Sequence, residues 1–112
     1  MSLFVKIFSF FIPTLMILFG MLMWFAPPIG INNAYGYRTK RSMMNQEAWD
    51  YAQVCMGKSW FIVGIALVFV TIFLLPRITI DDGSLLITIL SIQMVFMFLP
   101  LAGVEFLLKS KF

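Results

Sequence analysis

The sequence has no histidine, a single cysteine and few charges: eight Lys and Arg and five Asp and Glu in 112 residues. With Cys55 alone and no histidine, neither a disulfide framework nor a Cys/His zinc or haem site of standard spacing can form. Charged residues make up 12% of the chain, against about 25% in an ordinary soluble domain. So few charges cannot cover a water-soluble surface, and the high apolar content excludes disorder. Catalytic constellations are missing as well. No carboxylates pair in sequence outside Asp81-Asp82, there is no phosphate-binding loop, and no nucleophile stands at a diagnostic spacing from Glu47, Asp50 or Glu105. Neither an enzymatic activity nor a cofactor or metal is expected.

What is present is apolar length. Hydrophobic residues form 62% of the chain, gathered in three runs: Leu3–Phe25, Trp60–Leu75 and Leu85–Leu108. A bilayer takes about 20 apolar residues to cross, and the second run is slightly short, so its helix should begin earlier. Hydrocarbon offers no partner to an open backbone, so each span should be helical. The first run is too long for a signal peptide, and Ala26-Pro27-Pro28 is a poor cleavage site; it is expected to stay in the mature protein. Pro13 and Pro100 lie inside spans and should kink them.

The expected fold is an all-α membrane protein of one domain over 1–112, with spans at about 3–25, 59–76 and 85–108. Segment 29–58 should hold a loop and a surface helix that leads into the second span. Pro27-Pro28 ends the first helix, and Gly30, Asn32, Asn33 and Gly36 favour turns. From Asn45, a plausible N-cap, Trp49, Ala52, Met56 and Trp60 recur at helical spacing. This helix either runs straight into the second span, about 45 Å over 30 residues, or bends near Gly57. Gly57, Gly64 and Thr71 read as a packing face. Gln93, near the middle of the third span, reads as a hydrogen-bonding residue across a helix interface. The scattered methionines are expected to fill lipid-exposed helix faces.

Charge sets the expected orientation. Arg38, Lys40, Arg41, Lys58, Lys109 and Lys111 lie on the side of the long loop and C-terminus; Lys6 and Arg77 lie on the other. The positive-inside rule then puts segment 29–58 and the C-terminus in the cytoplasm and the N-terminus outside. The Asp81-Asp82-Gly83 turn joins the last two spans on the outer side. The net charge of +3 records this bias and calls for no nucleic-acid partner.

The polar segment carries a pattern: Pro28, Asn32, Tyr35-Gly36-Tyr37-Arg38-Thr39, Ser42, Trp49 and Ala52, with Trp49 seven residues past Ser42. Glu105 and Leu108 end the third span as Glu-x-x-Leu, followed by Lys109 and Lys111. In these residues, and over essentially its whole length, the chain resembles the SdpI family of small bacterial integral membrane proteins. The resemblance implies immunity to a secreted antimicrobial, cannibalism-type peptide at the bacterial cell membrane, with membrane lipid and a hydrophobic toxin peptide as partners. A lipid- or peptide-binding module or transport subunit using Tyr37 and Arg38, and a membrane partner for a cytoplasmic regulator, are the alternative roles.

The motif residues have a physical reading of their own. Arg38 offers five donors in a planar fork suited to carboxylate or phosphate. Tyr35, Tyr37 and Trp49 suit the headgroup level, and Gly36 lets the backbone turn tightly beside them. Together they would hold an anionic headgroup or a peptide carboxylate. Alternatively, Arg38 pairs with Glu105 and clamps the loop beneath the spans, which the general pairing of buried charges favours.

Overall fold

In a computed structural model, which describes residues 2–112, the chain is all-helical: α1 Leu3–Ser9, α2 Phe11–Phe25, α3 Gln46–Leu74 and α4 Asp82–Lys111. There is no strand among the described residues. Three units, Leu3–Phe25, Gln46–Leu74 and Asp82–Lys111, are each long and apolar enough to cross a membrane. Large side chains such as Phe4, Leu18, Ile62, Phe69, Ile87 and Phe106 stand exposed along them. In water these faces would form an apolar patch far beyond what soluble proteins tolerate; against lipid they are the expected surface. The molecule is a multi-pass membrane protein.

The first span is two helices rather than one. Pro13 has no N–H, so the carbonyl of Ser9, its natural partner one turn back, is left without an intrahelical donor. The helix breaks at Phe10, one turn before the proline. Gln93 from α4 supplies the missing bond: its Nε2 donates to Ser9 O at 2.7 Å and to Thr71 Oγ1 of α3 at 2.9 Å. Ser9, Thr71 and Gln93 are all buried, so one amide ties the three spans together inside the apolar layer. Ser9 Oγ and Gln93 Oε1 have no hydrogen-bond partner there. Pro100, by contrast, leaves α4 continuous. In the turn before it the Met97 carbonyl accepts the Trp60 indole N–H at 3.0 Å.

α3 takes the straight course. It runs unbroken through Gly57, starting where the Asn45 side chain accepts the Ala48 N–H at 2.8 Å. Its 29 residues measure about 43 Å. α2 packs against it far more extensively than α4 does. Glycines make that contact possible. A Cβ on Gly57 would lie 2.6 Å from Trp24 N, and one on Gly20 would lie 2.6 Å from Phe61 N. Backbone therefore meets backbone at this crossing, as small residues permit in membrane helices. Gly64 and Thr71 continue the face. Met16, Met23 and Met56 are buried beside it, contrary to the lipid-filling use expected for methionine, whereas Met21 and Met94 stand exposed on the spans as expected. Unbranched thioethers fit the uneven space that glycine contacts leave.

At the hairpin end, Val5, Leu75, Leu85 and Ile89 form a small core. Asp81 is the N-cap of α4, accepting from Ser84 N at 3.0 Å, and that bond holds its carboxyl below the usual range. Asp82 and Gly83 already belong to the helix, so the turn is shorter than the sequence suggested. At the opposite end Met23, Tyr37, Ala48, Ala52, Met56, Val104 and Leu108 pack together under the long loop.

Candidate functional site

Residues 26–45 fold back over the loop-side ends of the helices as a cap. Its first anchor is Trp49, wholly buried, whose indole donates to Pro28 O at 2.8 Å. Gln46 Nε2 donates to Ile29 O at 2.7 Å. Asn32 then builds an Asx turn: its Oδ1 accepts from Ala34 N and Tyr35 N at 2.9 and 2.7 Å, and its Nδ2 donates to Gly30 O. Such side-chain mimicry of a backbone turn is why asparagine is favoured here.

Gly36 follows with φ 106°, a conformation that favours glycine. A Cβ there would also sit 2.6 Å from Gln53 Oε1. The close approach serves a clasp. Gln53, fully buried on α3, accepts the Tyr37 N–H at 2.6 Å and donates to the Tyr37 carbonyl at 2.8 Å. Both backbone groups of a buried residue are thus satisfied by one side chain. Ser42 and Thr39 close the far side. Thr39 N donates to Ser42 Oγ at 2.8 Å and Ser42 N to Thr39 Oγ1 at 3.2 Å, while the Ser42 hydroxyl lies 3.0 Å from the Tyr37 carbonyl.

Held this way, Tyr37 points inward, and its hydroxyl donates to Glu105 Oε1 at 2.5 Å. Burial, then the hydrogen bond and charge of Glu105, push the phenol well above the ordinary tyrosine range. Arg41 Nε lies 3.5 Å from Glu105 Oε2, an ion pair with both side chains partly exposed. The pairing expected between Arg38 and Glu105 is therefore not formed. Arg38 and Tyr37 are neighbours in irregular chain, one exposed and one buried, so the guanidinium faces away from the carboxylate that Tyr37 reaches. Arg38 Nη1 donates instead to the Asn33 carbonyl. The turn over residues 40–43 brings Arg41 back to the Glu105 side.

Of the residues singled out in the sequence, Asn32, Tyr35, Gly36, Tyr37, Thr39, Ser42 and Trp49 all build the cap, and Glu105 receives it from α4. Tyr35 is half-buried, with its hydroxyl 3.4 Å from Ala26 O. Sequence reasoning missed Gln53 and Arg41. Gln53 lies four residues past Trp49, on the same stripe as Met56, and a lone amide on a buried stripe was the available signal.

Beneath the cap a groove of about 440 Å³ is lined at the top by Tyr35, Tyr37, Arg38 and Thr39. It descends past Met23, Met56 and Trp60 to Phe19 and Phe98, both exposed on the spans.

Two comparisons bear on this arrangement. The sequence profile of the SdpI/YfhL protein family matches residues 28–104, which take in the cap from Pro28, all of α3 and most of α4 but not the first span. That is narrower than the whole-chain resemblance read from the motifs. An uncharacterized protein of Bacillus subtilis (strain 168), YfhL, is 53% identical over 38 residues, 34% of this chain and 34% of that protein. The aligned stretch spans about a third of the relative's length. No solved structure matches the chain.

Proposed function

The chain belongs to the SdpI/YfhL family, and from that premise we propose that it confers resistance to a secreted antimicrobial peptide at a bacterial cell membrane. The observation that carries the reading is the cap. The segment matching the family builds all but its first two residues and supplies α3, whose Gln53 clasps Tyr37; Glu105, which takes the Tyr37 hydroxyl, follows directly on the matched residues. It stands as a stiff platform at the edge of the apolar layer, with Tyr35 half-buried and Arg38 and Lys40 exposed. A peptide that has partitioned into the membrane meets these groups at headgroup depth.

The cap faces the cytoplasm in this reading. Six of the eight Lys and Arg lie on its side or at the C-terminus, and positive loops are retained inside. Protection is then a binding event, with no chemistry required of the chain.

Expression in a strain sensitive to such a peptide, followed by survival counts, tests the proposal. Survival should rise with the intact chain and fall back with Tyr37→Phe or Glu105→Gln at equal membrane abundance. Equal survival of cells with and without the intact chain would remove the resistance reading.

A further inference from the structure

The groove under the cap has the profile of a site for an amphiphile. Its upper end is polar and holds Arg38, whose guanidinium carries five N–H donors and gives one nitrogen to the Asn33 carbonyl. The residue is exposed. Its lower part is apolar, and the one indole donor on its wall, Trp60 Nε1, is already bonded to the Met97 carbonyl. Below the cap the walls therefore offer ring faces and thioether, which adapt to an irregular hydrocarbon shape.

Depth points to the occupant. The Tyr37 hydroxyl is level with Glu105, and Phe98 lies seven residues before Glu105 on α4, about 10 Å lower at 1.5 Å per residue. The groove thus runs from headgroup level into the apolar layer. A single acyl chain can follow that course. At the mouth Arg38 stands exposed, and an oxyacid is the natural partner of a guanidinium fork.

We propose that this groove holds one acyl chain of an anionic phospholipid, with the lipid's phosphate bound by Arg38. The inference needs membrane embedding but not the resistance reading, and no toxin is needed to test it. Purified full-length protein in mild detergent is mixed with phosphatidylglycerol or phosphatidylcholine, and bound lipid is counted by native mass spectrometry after washing. One phosphatidylglycerol should be retained at least tenfold more strongly than phosphatidylcholine. Arg38→Ala, a change at an exposed side chain, should remove that preference, and Arg38→Lys should restore part of it. Glycerol phosphate, which has the head without the chain, should fail to displace the lipid at equal concentration.

Leu101 lines the groove beside Phe98; filling it with Leu101→Trp should abolish retention while Arg38 is intact, in a variant whose thermal melting confirms that it folds. Equal retention of the two lipids, an unchanged preference in Arg38→Ala, or displacement by glycerol phosphate would each overturn the proposal. So would preferential capture of an apolar peptide with a free carboxylate.

Discussion

Gln53 uses both ends of its amide on the backbone of a single residue; its loss would strand the buried Tyr37 N–H, while the carbonyl keeps the Ser42 hydroxyl. A buried donor or acceptor left unpaired costs about 1–3 kcal/mol, so Gln53→Leu should destabilise the fold by about that much, read as a lowered melting temperature in detergent. A change near zero would mean that Trp49, Gln46 and the Tyr37–Glu105 bond hold the cap without the clasp. Tyr37 adds a pH dependence. Its phenol ionises above the unfolded value of about 10, so the stabilisation is fully present below that pH and is lost as pH rises through the folded value. Stability should therefore fall more steeply above pH 10 in the native chain than in Tyr37→Phe, and parallel curves would refute the assignment. At this scale the sequence was legible in kind. Glycine, asparagine and serine announced a constrained loop, but the partners of each side chain did not follow. Whether Arg38 or Arg41 meets Glu105 depends on which way the chain faces after Gly36, and spacing carries no record of that.

Among the helices, glycine positions sort by what stands opposite them. A methyl on Gly57 meets the backbone of Trp24, whereas one on Gly103 meets nothing within 4 Å. Gly57→Ala should force α2 and α3 apart at about 1–3 kcal/mol, the usual scale of overpacking. Gly103→Ala should be neutral or slightly stabilising, since alanine is the better helix former. Melting temperatures of the two variants in one detergent decide it, and equal losses would contradict the close crossing. The spans were the most legible part of the fold because apolar length and backbone satisfaction leave hydrocarbon few alternatives. Gly57, Gly64 and Thr71 marked one side of the crossing at seven-residue spacing. Gly20 on the facing helix carried no such mark, since contact between helices distant in sequence has no local signature. Pro13 predicted a bend, but its position at Phe10 became intelligible only with Gln93 opposite the freed carbonyl.

For the molecule as a whole, the proposed orientation has a direct readout. With Cys55 replaced by Ala, a cysteine at Ser84 should react with an impermeant thiol reagent on intact cells, and one at Ser110 should react only after lysis. Both positions are exposed, at opposite ends of α4. The reverse pattern would invert the topology and put the cap outside. The bond between Gln93 and the Ser9 carbonyl also sets a timetable. It joins residues 84 apart, and at about 5–20 residues per second of synthesis the carbonyl waits roughly 4–17 s for its donor. Pro13 rules out the helix's own donor in the meantime, and an unmatched carbonyl in lipid costs several kcal/mol. The nascent first span is thus favoured to linger in the hydrated environment of the insertion machinery until α4 emerges. The first span to be made is the last to be completed.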